Sequence, residues 1–418
     1  MEKHVQGTLK GTVTPPPSKS QAHRLLICAA LGAEPCTIVC SSVNDDIMAT
    51  MRCLNALGAK ISFSSGVFDV QPIALVKGGT LDCGESGSTL RFLMSVAAVL
   101  GAEATFTGAG KLPQRPMGAL TDVLAVHGMS FERASTDELP VKCVGTLQGG
   151  KFTLPGNISS QYLTGLLFAL PLATEDSEIE VTGGLTSASY IDMTIDALRM
   201  AGIQVERRNN IFKVNGNQRY RMPGRVVVEG DWSSAAFWVV AGVIGKQPLT
   251  IGGMNNGSLQ GDSAIIDHLR GMGAFITVED DKVVAMPSHL FGAELDCMDT
   301  PDLVPILSVA AAVAQGTTTF TNVGRLRFKE SDRLAAMKSV LESFGIISSV
   351  GEDTFTVYGG EPRAVAPVDS FGDHRIAMSV TVLSTVAKGV TLIRGSGCVA
   401  KSYPSFFEDF ASLGGVVE

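Results

Sequence analysis

Six stretches of the chain share one plan: a polar cluster rich in Ser, Asp and Gly opens directly into a long apolar run. They are "PSKSQAHRLLICAALGA", "GESGSTLRFLMSVAAVLGA", "GNISSQYLTGLLFALPLA", "GDWSSAAFWVVAGVIG", "DTPDLVPILSVAAAVAQG" and "GDHRIAMSVTVLSTVAKG", and they recur roughly every 70 residues. Each run closes near a small residue, and a β-rich stretch follows, such as "ATFTG", "EIEVTG", "PLTIGG", "TTFTNV" or "VTLIRG". A second, amphipathic helix comes next, as in "DDIMATMRCLNALGA", "YIDMTIDALRMAGI" or "KESDRLAAMKSVLESFGI". It leads into a paired-strand signal such as "GIQVERRNNIFKVNG". A helix apolar all round belongs in an interior, whereas an amphipathic one covers a sheet. The unit therefore reads strand, buried helix, strand, exposed helix, strand, strand. The sixth copy ends in "FFEDFASLGGVVE" without a full hairpin, so its missing strand is expected from "MEKHVQGTLKGTVT" at the other terminus.

Solenoid repeats are shorter, about 20 to 45 residues, so six units of this size point to two compact groups of three. With 418 residues the chain is long enough for two domains with well-filled cores. The pattern breaks near "NQRYRMPGRVVVEG", where Pro and Gly interrupt it. The expected domains are residues 19–226, and residues 227–418 completed by residues 1–18.

A net charge of −8 and the lack of like-charge runs argue against nucleic-acid binding and against a membrane-surface patch. The apolar runs fall short of the ~20 residues that span a bilayer. Eight cysteines occur without a CxxC pair or zinc spacing, which reads as buried, reduced thiols and no metal site. "MEKHVQGTLKG" has no apolar signal core, so a cytoplasmic protein is the expectation; a monomer is expected too, although no residue pattern sets the oligomeric state.

The helix mouths carry the chemistry. Ser18 and Gln21 form an S-x-x-Q capping box, Lys19 and Ser20 fall in the first turn, and Arg24 shares a face with Ser20. Unpaired N–H groups and about half a positive charge collect at such a mouth, which favours anions. Ser86-Gly87-Ser88 with Arg91, Ser159-Ser160-Gln161, Asp231 with Ser233 and Ser234, Thr300-Pro301-Asp302, and Asp373-His374-Arg375 open the other five helices. Three parallel buried helices per domain would open on one side, and two facing domains would aim their mouths at one cleft. Basic residues fit that cleft: Arg115 in "GKLPQRPMG", Lys401 in "CVAKSYPSFF", and Lys329 with Arg333 in "RLRFKESDRLAAM", expected on one helical face with Glu330 and Asp332 between them. Arg forks and Lys point charges are the residue types that bind phosphate and carboxylate.

In these motifs the chain resembles the 5-enolpyruvylshikimate-3-phosphate synthase (3-phosphoshikimate 1-carboxyvinyltransferase) family. "PPSKSQAHR", "GESGSTLRF", "LPQRP", "NISSQYLTGLL", "LRFKESDRL", "GDHRIAMS" and "CVAKSYPSFF" carry the resemblance, in order and across essentially the whole chain. It implies an α/β (α+β) fold of two inside-out domains, each of three βαβαββ repeats, with the active site in the interdomain cleft. It also implies transfer of the enolpyruvyl group of phosphoenolpyruvate to the 5-hydroxyl of shikimate 3-phosphate, within aromatic amino acid biosynthesis. By resemblance, Lys19, Ser20, Arg24, Ser159, Ser160, Gln161 and Ser187 would hold shikimate 3-phosphate, with Tyr190 close by. Asp302 and Lys329 would contact its hydroxyls. Lys19, Gly87, Arg115, Gln161, Arg333, Arg375 and Lys401 would hold phosphoenolpyruvate. The reaction needs a base at the hydroxyl oxygen and an acid at the methylene carbon. Asp302 is the expected base, with Glu330 and Lys19 sharing or competing for the acid role. Neither metal nor organic cofactor is required. One departure stands out: Glu85 occupies a place where typical members carry asparagine, and its carboxylate would repel phosphoenolpyruvate unless neutralised by Arg91 or turned away.

Two alternatives differ in their demands. UDP-N-acetylglucosamine enolpyruvyl transferase, of the same fold, usually carries a reactive cysteine in the loop matching "GKLPQRPMG", which has none here. A non-catalytic repeat scaffold explains the apolar helices but not the ordered Lys, Arg and acidic positions.

Overall fold

The computed structural model describes residues 1–133, 136–156, 158–364 and 367–418; Asn157 of the "NISSQ" motif lies outside the described residues. Twelve α-helices occur among the described residues. They are α1 (Lys19–Ala30), α2 (Asp45–Ala56), α3 (Gly87–Val99), α4 (Gly118–Val126), α5 (Ser160–Ala169), α6 (Ala188–Met200), α7 (Trp232–Ile244), α8 (Ile265–Gly271), α9 (Val304–Val313), α10 (Arg333–Ser343), α11 (His374–Ser384) and α12 (Phe406–Ser412). Odd-numbered helices are buried along nearly their whole length, while even-numbered ones bury one face. That alternation follows from the sequence, because a helix with no polar side has nothing to offer water.

The chain forms two compact units, one of Met1–Ser18 with Glu229–Glu418 and one of Lys19–Val228, each with its own apolar core. Every one of the six four-stranded sheets among the described residues joins one parallel pair to an antiparallel run. A parallel pair needs a crossover, and in four of the sheets one buried helix, α3, α5, α9 or α11, supplies it. Thus Gly150–Pro155 runs into α5 and returns as Ser177–Thr182, in register from Gly150↔Ser177 to Pro155↔Thr182. The hairpin Val205–Arg208 and Ile211–Val214 completes that sheet.

Strand partners change where the chain passes from one unit to the other. Gly11–Val13 precedes α1 but pairs with Leu249–Gly252, whereas Arg225–Val227 pairs back with Cys36–Val39. Glu2–Gly7 fills the place of the missing sixth hairpin strand, antiparallel to both Thr391–Arg394 and Gly415–Val417. All eight cysteines are free, seven of them buried. No helix among the described residues is long and apolar enough to cross a membrane.

Close approach of buried helices sets the positions of their mouths. Phe92 of α3 meets Phe168 of α5 edge-on, with ring centroids 5.8 Å apart. At Gly165 the backbones come nearer still: an added Cβ would lie 2.5 Å from the Arg91 carbonyl oxygen and 3.0 Å from Ser95 Oγ. Gly165→Ala is therefore expected to destabilise the protein by about 1–3 kcal/mol through overpacking, read as a lower urea midpoint at unchanged m-value.

Candidate active site

In the Lys19–Val228 unit, α1 opens with Lys19, whose Nζ lies 3.0 Å from Asp46 Oδ2 on α2. Arg24, one turn on, is 2 % exposed. Its Nε donates to Thr194 Oγ1 at 3.0 Å, Nη1 to the Ser20 carbonyl at 2.6 Å, and Nη2 to the Tyr190 carbonyl at 2.8 Å. These acceptors are neutral, so the buried guanidinium is hydrogen-bonded but not charge-balanced by them. Burial lowers its pKa to about 10, which still leaves it protonated at neutral pH. A charge held this way keeps a positive field at the α1 mouth.

The neighbouring mouths are tied to one another. Ser159 caps α5 by accepting from the Gln161 amide at 3.2 Å. Gln161 Oε1 accepts from Arg91 Nη1 at 2.6 Å, and its Nε2 donates to Ser88 Oγ on α3 at 3.0 Å. Ser187 precedes α6 with a left-handed φ of 57°, which places Tyr190 in the first turn. Gly87 opens α3 directly beneath Arg115: an added Cβ would lie 3.0 Å from Nη1 and 3.2 Å from Cζ of that guanidinium. Glycine here leaves room for the arginine to lie across the helix mouth. The loop carrying Arg115 is pinned at the Pro116 carbonyl, which accepts from Tyr162 Oη at 2.6 Å and Arg91 Nη2 at 3.2 Å. Glu85 is exposed, and its carboxyl group lies against Gly110, where an added Cβ would be 2.6 Å from Cδ.

In the other unit, Asp302 sits in a short 3-10 turn, Pro301–Leu303, just before α9. Its Oδ1 accepts from Arg333 Nη1 at 2.7 Å and Lys329 Nζ at 3.3 Å, and its Oδ2 from Arg375 Nη2 at 3.0 Å. Arg333 is buried as well, with Nε 2.8 Å from Asp373 Oδ2 and Nη2 2.8 Å from Glu330 Oε2. Burial opposes its charge, but Asp373, Glu330 and Asp302 outweigh that and hold its pKa above the ordinary guanidinium value. Lys401 Nζ lies 3.9 Å from Glu330 Oε1. Just beyond it, Tyr403 Oη donates to Asp409 Oδ2 at 2.7 Å and accepts from Trp238 Nε1 at 3.1 Å, anchoring the segment to α7.

Two groups here have displaced proton affinities. Burial pushes Lys329 down to about 8, with Asp302 opposing and Arg333 reinforcing that shift. Burial, and after it the charge of Asp302, raises Asp262 to about 6, while Ser233 donates its hydroxyl to that carboxylate.

Within the first unit the structure thus gathers Lys19, Ser20, Arg24, Gly87, Arg115, Ser159, Ser160, Gln161, Ser187 and Tyr190 at the starts of α1, α3, α5 and α6. Within the second it gathers Asp302, Lys329, Glu330, Arg333, Arg375 and Lys401. One expectation is corrected. Lys329 and Arg333 do not share a helical face: α10 begins at Arg333, capped by Asp332 through the amides of Leu334 and Ala335, both at 3.1 Å. Lys329 follows the 3-10 turn Gly324–Phe328. Asp332 is a far better cap than interior residue, so the helix starts late and Asp302 brings the two cations together. Sequence reasoning missed Asp46 as the partner of Lys19, although "NDDIM" signals a helix start rich in acid. It also saw Asp373 only as a polar mouth residue, not as the buried counter-ion of Arg333.

A family model described as EPSP synthase (3-phosphoshikimate 1-carboxyvinyltransferase) matches residues 4–410. Proteins named 3-phosphoshikimate 1-carboxyvinyltransferase from Clostridium kluyveri and Clostridium acetobutylicum are 41% identical over 413 residues and 40% identical over 415 residues. Each alignment covers 98% of this chain and 96% of the relative. A solved structure of EPSP synthase from Acinetobacter baumannii superposes with a TM-score of 0.83 at 25% identity, covering 100% of this chain and 99% of that one.

Asp373→Ala removes both the α11 cap and the innermost partner of a buried guanidinium. It is expected to cost about 3–5 kcal/mol of unfolding free energy, measured by urea denaturation; Asp373→Asn, which keeps an oxygen for the cap, should lose less.

Proposed function

The chain belongs to the EPSP synthase (3-phosphoshikimate 1-carboxyvinyltransferase) family, and on that premise we propose that it moves the enolpyruvyl group of phosphoenolpyruvate to the 5-hydroxyl of shikimate 3-phosphate, releasing phosphate. The observation that carries this reading is the concentration of cations at helix starts in a chain whose net charge is −8. Two anionic substrates need such local neutralisation. The sister UDP-N-acetylglucosamine enzyme is not favoured, since the relatives above carry the shikimate enzyme's name. The enzyme works as a single chain in the cytoplasm, a reducing compartment that accords with eight free cysteines.

In this reading the 5-hydroxyl oxygen attacks C2 of phosphoenolpyruvate and gives its proton to Asp302. The methylene carbon C3 gains a proton from Glu330 or Lys19, and a tetrahedral adduct results. Loss of a proton from C3 then restores the double bond as the C2–O bond to phosphate breaks. Lys19, Ser20, Arg24, Ser159, Ser160, Gln161 and Ser187 hold shikimate 3-phosphate, and Lys329 and Asp302 its hydroxyls. Gly87, Arg115, Gln161, Arg333, Arg375 and Lys401 hold phosphoenolpyruvate, with Lys19 near it. Charge neutralisation and orientation supply much of the rate enhancement.

A phosphate-release assay tests the reading directly: phosphate should appear only when both substrates are present, and its absence with both would overturn the assignment. Asp302→Asn is expected to lower kcat about 100-fold or more without raising the KM for phosphoenolpyruvate, because it removes a carboxylate that competes for Arg333 and Arg375. A rise in KM alone would make Asp302 a positioning residue.

The Lys329 shift sets a pH limb. Its ammonium is charged below about 8 and is lost as pH rises through that value. Since a bound anion favours the charged form, kcat/KM for shikimate 3-phosphate should fall above about pH 8, whereas kcat should hold to higher pH. Lys329→Arg should remove that limb in a pH profile of initial rates.

A further inference from the structure

Inside the Lys19–Val228 unit, four side chains that take no part in the chemistry above form a continuous hydrogen-bonded line across three helices. His23 Nδ1 on α1 lies 2.7 Å from Thr50 Oγ1 on α2. Thr50 Oγ1 lies 2.7 Å from Thr89 Oγ1 on α3, and Thr89 Oγ1 lies 2.7 Å from Ser86 Oγ, the cap of α3. All four residues are wholly shut off from solvent.

The line has a direction. Burial, the largest influence, pushes the His23 pKa down to about 3, so the ring is neutral and carries one proton. Its Nε2 has no hydrogen-bond partner. Buried N–H groups left without an acceptor are rarer than buried acceptors left short of a donor, so the proton belongs on Nδ1 and points at Thr50. Thr50 then donates onward to Thr89, and Thr89, which has Ser86 Oγ at 2.7 Å and the Asp46 carbonyl oxygen at 3.5 Å as acceptors, gives its proton to the nearer Ser86. Each hydroxyl accepts from one side and donates to the other, an arrangement in which successive bonds strengthen each other. The last acceptor, Ser86 Oγ, also takes the Thr89 amide at 3.2 Å. Thr50 lies four residues after Asp46, which holds Lys19, so one face of α2 grips α1 twice.

We propose that His23, Thr50 and Thr89 are positioning residues that lock the α3 mouth, with Gly87 and the overlying Arg115, in place against the α1 mouth that carries Lys19 and Arg24. This rests on the proposed reaction, in which the α3 mouth serves phosphoenolpyruvate. The relay touches no substrate and acts through the Ser86 cap. Its loss therefore loosens donor binding more than it slows the chemical step.

Thr50→Val keeps the shape and deletes the hydroxyl, while Thr50→Ser keeps the hydroxyl. Thr50→Val is expected to raise the KM for phosphoenolpyruvate about fivefold to tenfold, as for one lost buried hydrogen bond, with kcat within about threefold. Thr50→Ser should restore KM to within about twofold. Nitrogen-15 NMR of the wild-type protein, which needs no variant to fold, should show His23 as the Nδ1–H tautomer. An Nε2–H tautomer, or a wild-type KM in Thr50→Val, would overturn the proposal. Failure of the wild type to release phosphate from the two substrates would instead overturn the reaction assignment, and the tautomer measurement would still judge the relay.

Discussion

A helix with no polar side can expose only its ends, and that constraint governs this molecule. Along α3, α7 and α11 almost every residue is buried, so neither flank offers a place for polar chemistry. The amino-terminal turn is different, since its backbone N–H groups have no partners within the helix. Side-chain oxygens of Ser86, Ser159, Asp231 and Asp373 meet part of that need at α3, α5, α7 and α11. The residues assigned to the proposed reaction collect where the fold leaves donors over. The same constraint bears on four of the sheets, where one buried helix is the crossover that the parallel strand pair requires.

The two units solve the problem of storing positive charge differently. Around Asp302 the cations are balanced by carboxylates: Arg333 alone reaches Asp302, Glu330 and Asp373. Such a cluster is stable only as a whole, because removing one partner leaves an opposite charge stranded away from water. Arg24 is instead held by the carbonyls of Ser20 and Tyr190 and the hydroxyl of Thr194. Dipoles fix its position without cancelling its charge. A phosphate arriving near Arg24 meets an uncancelled field, whereas one arriving near Arg333 or Arg375 must displace Asp302.

Much of the architecture was legible because its signals are local. Six apolar runs, each with a polar start, fixed the helices, and the turn residues of "GIQVERRNNIFKVNG" announced the hairpin Val205–Arg208 and Ile211–Val214. Ser20 and Arg24 were legible as a pair, since i and i+4 positions are neighbours on any helix. Contacts between distant segments were not. Nothing around Lys19 announces Asp46, and nothing in "GDHR" announces that Asp373 closes on Arg333, forty residues earlier in the chain. The misplaced helix start at Lys329 has another origin: charged residues spaced at helical intervals look the same whether or not Asp332 turns inward to cap. The line from His23 to Ser86 lay deepest, because hydroxyls inside helices carry no pattern until three helices are brought together.

The crowding around Asp302 bears on how a carboxylate so surrounded could serve as a base. Three cations lie within 3.3 Å of it and engage both of its oxygens. Those cations are also the groups assigned to the anionic substrates in the proposed reaction. A substrate phosphate or carboxylate that draws Arg375 and Lys329 toward itself frees the Asp302 oxygens that those cations occupy. In the proposed reaction those oxygens are then open to the hydroxyl that comes into reach. Asp373 and Glu330 keep Arg333 fixed during the exchange, so the carboxylate stays in place while its surroundings change. Access to the carboxylate is thereby coupled, in that reaction, to occupancy of the site.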